Sequence, residues 1–221
     1  MPPNCLTMVK TGGSIFIALS LVVMMLSLLP LCILFVRKVA ASAILNVLTF
    51  LCLFNFLQHL SLTFIQPGSV VLQTGFKLTQ FTLSFYLFKL LMTSARGKEI
   101  MNMFLVSFLS VVITIYSLKG ITTWSSTLGL VQAVILLAMA LIILFQLINN
   151  RQIVLVNEQG FWIAGGLLAF YGMVVFMESI TGYNSNVSQQ IQNEKDLVLL
   201  LADIFRLALF SVGTAIAVKA R

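Results

Sequence analysis

Few side chains in this sequence could do chemistry. Lys77, Glu178, Asp203, Arg206 and His59 carry charge or can acquire it, and Asn55 and Gln80 can orient hydrogen bonds among them. Each lies within or at the end of an apolar stretch, where a charged group costs about 3 kcal/mol or more and therefore marks either a pairing or a function. Their spacing groups them. Gln73, Lys77, Gln80 and Ser84 recur at i, i+4, i+7 and i+11, one continuous face of a helix. Asn55, Gln58 and His59 share a face, as do Asp196, Asp203 and Arg206, and the last two are close enough to pair within one helix. A softer series, Ser107, Ser110, Thr114 and Ser117, marks a fourth face. Lipid cannot satisfy such groups, so all four faces are expected to point into a bundle. Lys89 is the exception, a lysine whose stem can snorkel to the membrane surface.

Lys77, Asp203 and Arg206 are suited to anchoring the polar groups of a small ligand, with His59, Gln80 and Asn55 as orienting donors and Glu178 nearer the surface. Two bases face two acids, and His59 can tip that balance as pH falls. A zwitterionic or weakly anionic small molecule is the expected ligand. Catalysis is poorly served. There is one histidine, no nucleophile elbow, no glycine-rich phosphate loop and no zinc-ligand spacing. Acid–base chemistry on a lipid would have to come from Glu178, Asp203 and His59 alone. A Schiff base needs a lysine midway along the last apolar stretch, and that depth holds Arg206, which stays protonated. No enzyme activity, cofactor, metal or catalytic residue is expected. Cys5, Cys32 and Cys52 are odd in number and two lie in apolar stretches, so no disulfide framework is expected either.

The elements that must position these groups follow from composition. The 221 residues are 60% hydrophobic and 9% charged, with a mean hydropathy of +1.07. A soluble domain carries about a quarter charged residues, so this chain has too few to cover a surface in water. Seven apolar stretches stand out, at Gly13–Val36, Ala43–Ile65, Ser69–Met92, Met101–Leu118, Leu128–Ile148, Phe161–Ile180 and Leu197–Val218. At about 1.5 Å per residue, each can cross a hydrocarbon core of roughly 30 Å as a helix. The sequence therefore predicts an all-α membrane protein, a seven-transmembrane-helix bundle forming one polytopic domain over residues 1–221. Pro30 is expected to kink the first span near Leu26. Gly165, Gly166, Ala169 and Gly172 should let the sixth span approach a neighbour closely. Phe54, Phe56, Phe76, Phe81, Phe85, Tyr86 and Phe88 crowd spans two and three, mainly as packing residues. Trp124, Trp162 and Tyr183 suit an interfacial aromatic belt.

Loop charges set the orientation. Arg37, Lys38, Arg96, Lys98, Arg151, Lys219 and Arg221 fall on one side, against Lys10, Lys119 and Lys195 on the other. The positive-inside bias then places the N-terminus outside and the C-terminus in the cytoplasm of a cell membrane. The net charge of +7 reads as this orientation signal, suited to an anionic leaflet, and not as a nucleic-acid surface. The N-terminal run lacks a cleavage site and reads as a span. Thr181 to Asp196 is expected to be a polar external connection containing an Asn186-Val187-Ser188 sequon.

With this topology the costly groups share a depth. From the outer surface Lys77 lies roughly 12 Å down, Asp203 and Arg206 about 10 and 14 Å, and His59 and Asn55 about 9 and 15 Å. Glu178 lies closer to that surface. The expectation is an outward-facing polar pocket binding a small ligand, in a receptor or sensor that acts through a separate protein partner in the membrane or cytoplasm. Ser211, Thr214, Ser84 and Thr93 offer only a thin polar route below Arg206, which weighs against steady ion flow. A small transporter or channel, and an accessory subunit of a larger membrane complex, are the alternatives.

Overall fold

The computed structural model describes residues 4–37, 42–65, 70–119, 121–149, 154–182 and 189–219. Among them are seven α-helices: α1 (Asn4–Arg37), α2 (Ala43–Leu60), α3 (Val70–Leu91), α4 (Ala95–Lys119), α5 (Ile121–Asn149), α6 (Gln159–Gly182) and α7 (Gln189–Lys219). A π-helical turn, Ser61–Ile65, prolongs α2, and a short 3₁₀ turn, Leu155–Asn157, precedes α6. A bilayer offers no water to unpaired backbone groups, so a chain this apolar closes its hydrogen bonds within each segment. Ser42 caps α2, its hydroxyl accepting from the Leu45 N–H at 3.4 Å. α1 runs unbroken through Pro30.

Six of these helices are long and apolar enough to cross a membrane. α3 falls below that apolarity because Gln73, Lys77 and Gln80 interrupt it, and the packing gives the reason. α1, α2, α3, α5, α6 and α7 form a closed ring in the order α1–α2–α3–α5–α6–α7, with α7 returning to α1. α4 stands outside it, packed on α3 and α5. The polar side of α3 can therefore face the interior of the ring while its neighbours supply the apolar surface.

The ring is tightest between α6 and α7. A Cβ built on Gly166 would meet the Arg206 carbonyl oxygen at 3.1 Å and both Leu209 Cβ and Phe210 Cε1 at 3.3 Å. Gly213 approaches the Gln159 carbonyl oxygen and Trp162 in the same way, at 3.2 and 3.3 Å. Small residues at such crossings let helices gain van der Waals contact that lipid does not supply. Buried side chains including Phe85, Leu87, Phe88, Ala140, Ile143, Leu207 and Phe210 form one contiguous apolar core within the ring.

Two sequence-based expectations need correction. The Ser107, Ser110, Thr114 and Ser117 face of α4 does not point inward; all four residues are exposed. Three of these hydroxyls donate to carbonyl oxygens one turn back: Ser110 to Val106, Thr114 to Ser110 and Ser117 to Ile113, at 2.8–2.9 Å. Satisfied within its own helix, a hydroxyl has no need of a partner across the bundle. The connection read as Thr181 to Asp196 is also shorter than expected, since α7 begins at Gln189. The sequon Asn186-Val187-Ser188, Tyr183, Lys38 and Arg151 lie outside the described residues.

Candidate functional site

At the end of the ring where α2 leads to α3 and α6 leads to α7, the helices stand apart around an open cavity of about 500 Å³. All six ring helices line it and α4 does not. Its polar wall holds Asn55, Gln58 and His59 from α2, Gln73, Lys77 and Gln80 from α3, Gln132 from α5, Glu178 from α6, and Gln192, Lys195, Asp196 and Asp203 from α7. Phe81, Leu136, Phe170, Val174 and Leu200 supply the apolar surface. The volume falls within the range of small-molecule sites, and the mix of apolar surface with a few convergent polar groups is their usual make-up.

Of the seven side chains singled out by sequence, six line this cavity: Asn55, His59, Lys77, Gln80, Glu178 and Asp203. Arg206 does not. It is 1% exposed and lies behind the floor, held by a dense set of partners. Its guanidinium forms an i, i+3 ion pair with Asp203 and Nη2 donates to Asn55 Oδ1 at 3.1 Å. The Gln80 amide oxygen, turned toward it, accepts from Nη1 at 2.7 Å and Nη2 at 3.1 Å. The guanidinium carbon lies 4.0 Å from the centre of the Phe170 ring, within cation–π reach.

Asn55 completes this floor. Its Nδ2 donates to Asp203 Oδ2 and to Ser27 Oγ, both at 3.1 Å, while its Oδ1 accepts from Arg206. One amide thus ties α1, α2 and α7 together. His59 Nε2 lies 3.2 Å from Asp203 Oδ2. Four helices of the ring, α1, α2, α3 and α7, share this network. Charge-assisted bonds in a low-dielectric interior are the strong ones, and here they make the floor rigid.

Nearer the mouth the arrangement is different. Glu178 pairs with Lys195 at 2.9 Å across the α6–α7 seam. Lys77 forms no ion pair among the described residues; its ammonium rests 3.8 Å from where a Cβ on Gly129 would stand. The charged groups expected to form one cluster are therefore two layers, a sealed lower one and an accessible upper one. Three bases (Lys77, Lys195, Arg206) and three acids (Glu178, Asp196, Asp203) keep the site near neutrality.

No known protein family, curated protein or solved structure matches this chain. The site geometry therefore carries the functional reading.

Sequence reasoning overlooked Gln132 and Lys195 as wall residues. Gln132 interrupts the apolar first half of its span, as Gln146 does the second, a signal available from the sequence. Lys195 and Gln192 were hidden because the polar segment before Leu197 reads as loop, although Gln192, Asp196, Leu199 and Asp203 recur at i, i+4, i+7 and i+11. Below the floor the polar route ends. Ser211 and Thr214 donate to carbonyl oxygens of their own helix at 2.9 and 2.8 Å, and the Ser84 hydroxyl lies 3.3 Å from that of Tyr171.

Proposed function

We propose that this membrane bundle binds a small polar solute in the cavity from the outer side of a cell membrane, as a receptor or sensor does. The reading includes a separate protein partner, in the membrane or cytoplasm, that responds to the bound state. One observation carries it. Six helices place polar and charged side chains around a single cavity open at one end and closed at the other by the Asn55–Asp203–Arg206–Gln80 network. A cluster serving only to fix helix register would be packed shut.

The same network links the cavity wall to the helix crossings. Asp203 and His59 belong to both the wall and the floor, so a solute competing for Asp203 would redistribute the hydrogen bonds of Asn55 and Arg206 and with them the seating of α1, α2 and α7. A ligand shifts such an equilibrium only by its different affinity for the two arrangements. The distribution of lysine and arginine between alternate connections supports placing the open end outside. The closed floor and the self-satisfied hydroxyls beneath it favour a receptor over a conducting channel.

Thermal unfolding of the purified protein against a panel of amino acids, organic acids, polyols, amines and nucleosides tests the proposal. A solute at 100 times its Kd stabilises the folded state by about 2.7 kcal/mol, which raises the midpoint by several degrees. The shift should weaken in Val174→Trp, which narrows the cavity. A panel that shifts neither protein would remove the support for a receptor.

A further inference from the structure

Some polar atoms at the cavity lack partners. The Gln132 amide nitrogen is buried and without a hydrogen bond, although Gln132 is only 6% exposed and lines the cavity. A buried amide donor left unmade costs about 1–3 kcal/mol, and a turn of the Gln132 side chain, which already lines the wall, presents that donor to an acceptor in the cavity. On the same face of α5, one turn away, Gly129 leaves space into which Lys77 of α3 extends its ammonium. Lys195 answers Glu178 and Arg206 answers Asp203. Lys77 is therefore the accessible positive charge of the wall without an ion-pair partner among the described residues.

We infer that Lys77 and Gln132, with the clearance provided by Gly129, form an anion subsite for the carboxylate of a small organic acid or amino acid. This deepens the proposed function, since it rests on the cavity being a solute-binding site. A carboxylate is planar, accepts from two donors at once and carries one charge. An ammonium and an amide N–H on adjacent helices match those requirements. Lys77 also acts on the Asp196 carboxylate across the cavity, so a solute carboxylate shares its charge with Asp196, and the three carboxylates of the site make it a poor host for a dianion such as a phosphate monoester. The Gln58 carbonyl oxygen, also buried and unpartnered, provides an acceptor for an N–H or O–H elsewhere on the same solute. A hydroxy acid or a zwitterionic amino acid supplies such a donor along with its carboxylate.

Calorimetric titration of the protein in lipid nanodiscs distinguishes the outcomes. The probes are lactate, glycolate and N-acetylalanine, each set beside its uncharged amide. The carboxylates are expected to bind at least roughly 10-fold more tightly than the uncharged forms, the size of a charge-assisted contact. Lys77→Met and Gln132→Leu should each remove that preference. Lys77→Arg should retain part of it, and Gly129→Leu, which occupies the clearance, should abolish carboxylate binding while the thermal midpoint stays close to wild type. Equal binding of charged and uncharged counterparts would overturn the subsite while leaving the cavity as a solute site. Undiminished carboxylate preference in both Lys77→Met and Gln132→Leu would also overturn it. Absence of binding by every probe, together with a flat thermal panel, would remove the cavity reading itself.

Discussion

At the scale of single residues, the two charged layers are energetically unlike. Arg206 and Asp203 are almost wholly removed from solvent, and each is held by the other together with Asn55 and either Gln80 or His59, although the Arg206 Nε–H is left without a partner. Removing one partner of a buried pair leaves an uncompensated charge and costs on the order of 3–5 kcal/mol, whereas replacing both with apolar groups of similar volume costs far less. Arg206→Met should therefore destabilise the bundle strongly, and Asp203→Leu combined with Arg206→Met should recover much of that loss in equilibrium unfolding. Glu178 and Lys195 near the mouth keep some contact with solvent, with side chains 15% and 11% exposed. Glu178→Gln keeps an acceptor for Lys195 and should cost less than Arg206→Met. Equal penalties at the two layers would contradict the division into a sealed floor and an accessible wall.

At the scale of elements, the sequence announced polar faces more reliably than their destinations. The stripes on α2 and α3 face the cavity because carboxamides, an imidazole and an ammonium cannot be satisfied by their own helix. The α4 stripe faces outward because hydroxyls can be, through bonds to i−4 carbonyls. The same limits hid the first turns of α7, whose polar character masked a helical period, and Gln132 of α5. Contacts between helices were less legible still. Of the glycines on α6, Gly166 touches α7 backbone while a Cβ on Gly165 would meet nothing within 4 Å. Gly165→Ala should thus be close to neutral. Gly166→Val should destabilise by about 1–3 kcal/mol, as overpacking against a backbone carbonyl does, read as a lowered midpoint in thermal unfolding.

At the scale of the whole molecule, the ring explains why a chain so poor in charge keeps its charges together. Six helices enclose a cavity and an apolar core that continues into its wall, with α4 packed on the outside. Polar groups collected at one depth share water, one another and any solute, while the remaining helix surface is left apolar for lipid. The central claim is that this cavity is reached by water from the outer face and stops at the Asp203–Arg206 floor. Substituted-cysteine accessibility in intact cells addresses it most directly. Single cysteines are placed at Gln192, Gln132, Ser211 and Thr214 in a background lacking Cys5, Cys32 and Cys52, and a membrane-impermeant thiosulfonate is added from outside. The account predicts modification of Gln192→Cys and Gln132→Cys and none of Ser211→Cys or Thr214→Cys. An inert Gln132→Cys, or modification reaching Ser211→Cys and Thr214→Cys as readily, would contradict it.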